Sequence, residues 1–440
     1  TLDLTHATKT TQARRRIKRD ALRALRGSIL RTELYAMDGS PHQERPYTVT
    51  EQAYSVKEIM GVLNERLPHI FFPHSVACRT TQWERGDDPM TQFSFRGKYD
   101  DFGQLLSQTA VSVPRRSRRR HRLSPIEVAD ETQVLAIHSR TLYAAPVAGN
   151  YIHDRVAHGT SMELTQPPTI RESDPDSVQT VLRDQKEQAL SVHAKFEVAF
   201  GERPDGKKWQ PQDGVPTDYR VFGHTVNLYD GQPYIGLAVG RVGTNGTLTR
   251  SETLVFDQYI LRDAYLNPTL IDSHGRLVLP AGAPAVFNKE LGYEWKANQF
   301  GYVDGFYLKA QQCQYNAQGL VIAQRDPLNH ETVIAYDSYA VLPESVTDPI
   351  KLETTAIYNY RVMQPETVMD ANKNIMEFEF SPIGLLMGIW VKGKQNANEG
   401  DQAGASTQLS YDFLAYHNSV LIDPANPQPI GVRTVCTVRH

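Results

Sequence analysis

The chain has 440 residues, a formal net charge of −3 and 40% hydrophobic residues, which is ample for a sizeable apolar core. No stretch approaches the roughly 18 consecutive apolar residues of a membrane-spanning helix, and 26 Pro with 29 Gly favour a turn-rich β protein over a helical one. The charge is uneven: residues 1–122 hold 22 Lys+Arg against 13 Asp+Glu, and the remainder carries a net −12.

The first predicted element is basic. Residues 1–26 include the run "ARRRIKRDALRALR" and are predicted to form a basic lead-in segment with helical character. Residues 27–113 then alternate apolar and polar side chains, as in "RPYTVTEQAYSV", which is typical of half-buried strands. Asp38-Gly39 is a hairpin signal within them. We therefore predict a β-sheet segment over 27–113.

A second basic run follows this sheet segment. Residues 114–125 contain six arginines and are predicted to be a basic linker or loop. A solvated loop is the favoured interpretation, because the run follows a proline and has no interleaved aromatic residue for stacking on bases. Nucleic-acid binding through the arginines of 115–122 stays open as an alternative.

Residues 126–309 are predicted to be a further β-rich segment. "VLAIHSRTLYAA" at 134–145 and "ALSVHAKFEVAF" at 189–200 are both interpreted as strands because apolar residues alternate in each. One short helix is predicted near 250–265, with Ser251 as its N-cap.

The clearest pattern is a tandem repeat over residues 310–395. Pro343, Glu344, Val346 and Asp348 recur 22 residues later, and an aromatic residue keeps the same step. Fixed self-similarity at this period is the mark of an array in which each unit is one supersecondary piece. The alternation around each aromatic residue predicts strands, so one unit is predicted to be one β-hairpin with an aromatic ladder on one sheet face. Tyr336 and Tyr358 are expected to leave the sheet on this same face and to be largely buried.

Turn residues recur with the ladder. Asp-Pro pairs precede the strands, and a glycine follows several of the aromatic residues at the place where a hairpin turn needs positive φ. A terminal β segment is predicted over 396–440. The residues predicted to define the structural repeat are Tyr99, Asp100, Gly103, Tyr315, Gly319, Asp326, Pro327, Tyr336, Asp337, Asp348, Pro349, Tyr358, Asp370, Phe380 and Gly384.

Catalytic and metal-binding patterns fail their spacing tests. The glycine-rich "GRVGTNG" lacks the Lys-Ser/Thr of a phosphate loop, and Asn245-Gly246 within it fits a hairpin turn better. His153, Asp154 and His158 form a loose cluster, but histidines five residues apart do not share a helix face. We therefore expect no catalytic residue, no metal ligand and no cofactor.

Several stretches resemble a known family. "YDDFGQLL", "YNAQGLVIAQRDPLNHETVIAYD" and "FSPIGLLMGIWVKGK" resemble YD repeats of the Rhs type. "LRGSILRTELYAMDGSPHQERPYTVTEQAYSV", "WERGDDP" and "LTRSETLVF" resemble the middle region of the B component of bacterial insecticidal Tc toxin complexes. The repeats are degenerate, since Tyr315-Asn316 and Tyr358-Asn359 lack the Asp of the YD pair.

The resemblance implies a mostly β fold, a long antiparallel sheet of tandem hairpins with few short helices. It implies a secreted, non-enzymatic virulence protein that forms part of a hollow cocoon around a cytotoxic polypeptide. The implied partners are a C-type component that completes the shell, the enclosed passenger, and a pore-forming A component that is contacted by other parts of a longer polypeptide. Neither nucleic acid nor a membrane is an expected partner of this piece.

A different class of function stays open beside the container. An extracellular carbohydrate-binding or adhesion β protein would use exposed aromatic side chains, such as Trp83 or Trp295, as stacking platforms.

Overall fold

The chain is mostly β-structure in the computed structural model, which describes residues 2–3, 11–60, 69–86, 88–114, 133–147, 149–168, 178–201, 209–210, 213–257, 260, 291–397 and 399–438. The predicted fold class is therefore confirmed. The helices in these residues are α1 (Thr11–Arg23), α2 (Val178–Phe200) and α3 (Ala415–Ile422). None of them is long and apolar enough to cross a membrane.

The chain divides into two compact units. Unit 1 comprises Thr1–Tyr229, Leu237–Gly246 and Ser251–Leu308, and unit 2 comprises Asp230–Gly236, Thr247–Arg250 and Lys309–His440. The strands up to the unit boundary are β1 (Leu2–Asp3), β2 (Arg31–Leu34), β3 (Thr48–Met60), β4 (Ile70–Gln82), β5 (Met90–Arg96), β6 (Ser107–Val113), β7 (Leu135–Tyr143), β8 (Ala145–Pro146), β9 (Val156–Leu164), β10 (Tyr219–Tyr229), β11 (Arg241–Val242), β12 (Leu248–Asp257), β13 (Tyr293–Lys296) and β14 (Gly305–Tyr315).

Unit 1 has a two-layered hydrophobic core. Strands β2 to β7 pair antiparallel in chain order, and β9 lies between β7 and β10. Helix α2 packs on β5 and β6 and buries Ala189, Val192, Phe196 and Phe200. Phe93 and the other apolar side chains of the sheet meet this helix face in one cluster. Burial of such a face is what stabilises a helix against a sheet.

Unit 2 is an antiparallel array of hairpins. Its later strands are β15 (Val321–Arg325), β16 (Glu331–Tyr336), β17 (Pro343–Thr347), β18 (Glu353–Asn359), β19 (Gln364–Met369), β20 (Asn374–Phe380), β21 (Leu386–Lys394), β22 (Thr407–Asp412) and β23 (Gly431–Cys436). Each strand from β14 to β23 pairs with the next one in sequence. The tandem hairpins predicted from the period are thus present.

The hairpin array lacks a core of its own among the described residues. In the residues that the structure describes, the hydrophobic cluster has no member beyond Tyr307, and the buried hydrophobic residues after that position are Cys313 and Ala323. Most side chains of β16 to β20 are half-buried or exposed. This part of the chain is a single-layered sheet, so its cohesion must come from bonds within the sheet plane and at the turns.

Two predictions about local structure were wrong. Residues 189–200, predicted as a strand, form the second half of α2. Their buried residues are spaced by three and four, which is the helical period. The helix predicted near 250–265 is a strand up to Asp257, where Glu252 and Leu254 alternate into the interior. Ser251 does not cap a helix there, and its hydroxyl donates instead to Asn227 Oδ1 at 2.9 Å.

Other predicted features fall partly outside the described residues. The arginines of 115–122 and most of residues 258–290 are outside the described residues. The basic lead-in segment does contain the expected helix, α1. Asp38-Gly39 lies in the connection between the antiparallel strands β2 and β3, and Gly39 has a φ of 69°.

Candidate functional site: turns and aromatic ladder of the hairpin array

Four hairpin turns of the array share one hydrogen-bonded design. A carboxylate or amide oxygen of the first turn residue accepts the backbone N–H groups two and four residues further on, at 2.8 to 3.0 Å. These first residues are Asn316, Asp326, Asp348 and Asp370. The side chain thus satisfies two amides that the tight turn takes out of the ladder.

The fourth residue of each such turn has positive φ. Gly319 occupies it as predicted, at 82°, and Gly384, the fourth residue of the separate turn that begins at Ser381, has a φ of 86°. In the turns that begin with Asp326, Asp348 and Asp370, the same place is taken by Asn329, Lys351 and Lys373, at 66° to 68°. The glycine turns and the aspartate turns, which look different in the sequence, therefore share a positive φ at their fourth residue.

The first YD turn, in unit 1, follows the same design. Asp100 Oδ1 accepts the amides of Phe102 and Gln104 at 2.9 and 2.8 Å, and Gly103 has a φ of 81°. The hydroxyl of Tyr99 donates to the carbonyl of Ser75 at 2.9 Å. The predicted equivalence of this turn with the later repeats is seen in its bonds.

An aromatic ladder runs along the array. Each pairing shifts by a β-bulge immediately before the aromatic residue, and the aromatic residue then faces a fixed partner on the next strand. The pairs are Tyr315 with Val321, Tyr336 with Pro343, Tyr358 with Pro365, and Phe380 with Leu386.

The ladder tyrosines also bond to the repeat before their own. Tyr336 donates its hydroxyl proton to the carbonyl of Val321 at 3.2 Å, and Tyr358 donates to the carbonyl of Pro343 at 2.8 Å. In both cases the acceptor carbonyl lies 15 residues upstream of the donating tyrosine. It belongs to the residue that pairs with the previous ladder tyrosine. The ladder therefore links successive hairpins, and burial raises the pKa of the Tyr358 hydroxyl.

The expectation that Tyr336 and Tyr358 are largely buried was wrong. Both are half-buried. The equal hydroxyl bonds place the two side chains in equivalent positions, as the repeat predicts, but in the described residues no second layer covers the sheet. The phenol hydroxyls therefore contribute mainly through their hydrogen bonds to backbone carbonyls, which are strong acceptors.

The turns on the tyrosine side are also tied to one another. Tyr360 donates to Asp337 Oδ2 at 2.7 Å, and Arg361 donates to the carbonyls of Ser381 and Pro382 at 3.0 and 2.8 Å. The Tyr360 hydroxyl and the Val341 amide hold the pKa of Asp337 below its usual value. These contacts reinforce one edge of the sheet from turn to turn.

A buried polar layer in unit 1 was not predicted. Thr109 Oγ1 lies 2.9 Å from Nδ1 of both His138 and His193, so one hydroxyl bridges a strand and helix α2. Thr160 and His224 make a second pair at 2.9 Å. Burial lowers the pKa of His138 and of His224 to about 3. Neutral imidazoles that are held by hydroxyls indicate a structural role.

The loose metal-like cluster does not assemble. His158 is buried against His224, whereas Asp154 is exposed and pairs with Arg155 at 2.7 Å. Within the part of the chain that the structure describes, no three His, Cys, Asp or Glu residues are grouped as a metal ion would require.

Comparisons with known proteins bear on the whole chain. Residues 20–141 match the family described as the insecticide toxin TcdB middle/C-terminal region. The TcdB2-TccC3 crystal structure superposes with a TM-score of 0.68 and 18% identity, covering 99% of this chain and 21% of that one. The Tc holotoxin pore of Photorhabdus luminescens gives 0.65 and 18%, covering 96% and 20%. No curated protein sequence matches.

The chain therefore spans about one fifth of the length of the solved chains that it matches. The resemblance drawn from the sequence is confirmed by the family match over 20–141 and by the shared fold along almost the entire chain.

Proposed function

We propose that this chain, which matches the TcdB middle/C-terminal family over 20–141 and shares the fold of about one fifth of the TcdB2-TccC3 chain, is a structural part of a toxin container. It forms part of the wall of a hollow Rhs-repeat cocoon that encloses a cytotoxic polypeptide and helps to deliver it. The role is enclosure, and the protein works outside the cell that makes it, as a secreted component.

The observation that carries the proposal is the single-layered hairpin array. An enzyme domain concentrates buried side chains around one site, whereas this sheet repeats one turn design and one aromatic ladder from Tyr315 to Phe380. Stability that comes from nearest-neighbour bonds lets a sheet grow without a growing core. Such a sheet suits a wall, because its area increases with every added hairpin.

Enclosure needs more sheet than this chain supplies. The matched chains are about five times longer, and the solved complexes pair TcdB2 with TccC3. We propose that a C-type component completes the shell around its passenger, and that the pore-forming A component is contacted by parts of the assembly outside these 440 residues.

The alternative functions have less support. Trp295 is half-buried and packs edge-on against Phe306 at 5.3 Å, and Trp83 is half-buried too, so neither is a free stacking platform for carbohydrate. The arginines of 115–122, on which the nucleic-acid alternative rests, lie outside the described residues.

Co-purification tests the proposal. The full-length polypeptide that contains this chain is co-expressed with a tagged C-type shell region, and we expect a stable complex visible as a closed particle by electron microscopy. The variant Asp348→Ala/Asp370→Ala, which removes two turn acceptors, should reduce the yield of closed particles. Asp154→Ala, at an exposed carboxylate that belongs to no hairpin turn of the array, is the control. Particles that form equally well with the whole of 310–395 deleted would contradict the wall role.

A further inference from the structure

One face of helix α1 carries a basic surface that the container role does not use. Ile17 and Ala21 are buried, and the helix lies against β3. These contacts fix the rotation of the helix. The opposite side therefore faces solvent in a defined arrangement, unlike the side chains of a disordered charged segment.

The solvent side is an open basic surface. A shallow, largely open cavity on it is lined by Arg15, Lys18, Arg19, Leu22, Arg23 and Arg26. All of these cations are exposed. Spacing by three, four and seven residues places them in two adjacent rows along one face.

The charge of this basic surface is largely uncompensated. Asp20 is the only carboxylate between residues 15 and 26, and it is shared by Arg16, Arg19 and Arg23 at 3.9, 3.4 and 3.3 Å. In the described residues Arg15, Lys18 and Arg26 form no ion pair. Like charges at this spacing destabilise a helix, so their concentration on one fixed face indicates an anionic partner.

The apolar residue in the cavity decides the class of partner. Leu22 is 50% exposed among the cations, and Ile29 and Leu30, just beyond the helix, are 59% and 66% exposed. A phosphate backbone offers nothing to Leu22, and no aromatic side chain lines the cavity for stacking on bases. A membrane-surface helix turns its apolar face to lipid, whereas here Ile17 and Ala21 face the sheet.

We propose that the basic face of α1 is a docking site for an acidic polypeptide segment that also carries apolar side chains. The carboxylates of the segment pair with Arg15, Lys18, Arg19, Arg23 and Arg26, and one apolar side chain covers Leu22. The site is independent of the container role, because it uses none of the repeat residues.

Peptide binding by the purified full chain tests the site. The probe is a fluorescent synthetic peptide of alternating Glu and Leu, and the comparison ligands are polyglutamate, duplex DNA and anionic vesicles, all followed by anisotropy or co-sedimentation at low salt. We expect the Glu/Leu peptide to bind most tightly. Its affinity should fall steeply as salt screens the exposed charges.

Matched variants separate the site from general electrostatics. Arg15→Gln/Lys18→Gln/Arg26→Gln should weaken peptide binding by about tenfold, since each exposed ion pair contributes a modest factor. Arg183→Gln/Lys186→Gln/Lys195→Gln removes the same charge from the exposed side of α2 and should change it by less than about twofold. Leu22→Gln should weaken the Glu/Leu peptide and leave polyglutamate unchanged.

Three outcomes would overturn the proposal. Equal losses from the α1 and α2 triple variants would mean that net charge alone is sensed. Tighter binding of DNA or vesicles, lost in the α1 variant, would assign the surface to phosphate. No effect of Leu22→Gln on the peptide would remove the apolar component. Circular dichroism of each variant confirms that the fold is kept.

Discussion

Phe380 is the ladder position at which the hydroxyl is missing. Tyr336 and Tyr358 each donate to a backbone carbonyl of the previous repeat, but Phe380 has no group to offer the equivalent acceptor, the carbonyl of Pro365, which is paired with Tyr358. Phe380→Tyr should therefore add one hydrogen bond to the sheet. The reciprocal change, Tyr358→Phe, should remove one.

The size of the effect follows from ordinary hydrogen-bond energetics. A net intramolecular hydrogen bond contributes about 0.5–1.5 kcal/mol, and the ladder ring at 380 is half-buried like its equivalents, so no cavity or clash accompanies the change. We expect Phe380→Tyr to stabilise the array by about 1 kcal/mol and Tyr358→Phe to destabilise it by a similar amount.

Hydrogen exchange is the suitable assay, because a chain of two units need not unfold in one transition. In peptides that cover β18 to β20, about 1 kcal/mol corresponds to a roughly fivefold change in amide protection. Phe378→Tyr, on the same strand but off the ladder position, is the control and should give no gain. Equal protection in Phe380→Tyr and Phe378→Tyr, or no loss in Tyr358→Phe, would refute the repeat register.

Further predictions concern the turns and the core. Lys351→Gly relieves a positive φ and should raise the protection of the array by about 0.5–1 kcal/mol. Gly319→Ala should lower the protection by about 1 kcal/mol from backbone strain alone, because an added Cβ meets nothing within 4 Å. Equal effects of the two variants would contradict the shared turn design. Phe196→Ala, fully buried on α2, should cost about 3–5 kcal/mol in denaturant unfolding of unit 1 and leave exchange in the array unchanged. Burial lowers the pKa of His138 and His224, so the unfolded state binds more protons than the folded state below pH 6.5. The free energy of unfolding of unit 1 should therefore fall by about 2 kcal/mol per buried imidazole as the pH is lowered from 7 to 5. His224→Gln should flatten this pH profile, and an unchanged slope would count against the burial.

The hairpin array could be predicted because its information is local. The 22-residue period, the alternation around Tyr336 and Tyr358 and the turn residues all lie within one repeat, and each supports the same structure. The positive φ of Lys351 was not predictable from residue type, since lysine disfavours it. It is enforced by Asp348, whose side chain holds the turn.

The wrong strand prediction at 189–200 has its cause in an ambiguous period. Val192, Phe196 and Phe200 are spaced by four, which fits both a strand face and a helix face. The polar residues just before them, without a turn signal, were the better indication of a helix. The Thr109 and His138 contact joins residues 29 apart, so it depends on tertiary packing that no local pattern reports.

Passenger protection tests the container role most directly. The full-length polypeptide is co-expressed with the C-type shell region and its toxic passenger, and the complex is exposed to limited proteolysis beside a control in which residues 310–395 are deleted. The container account predicts that the passenger survives in the intact complex after the free passenger is degraded, and that the deletion abolishes this protection. A passenger that is cut equally fast with and without this chain would contradict the account.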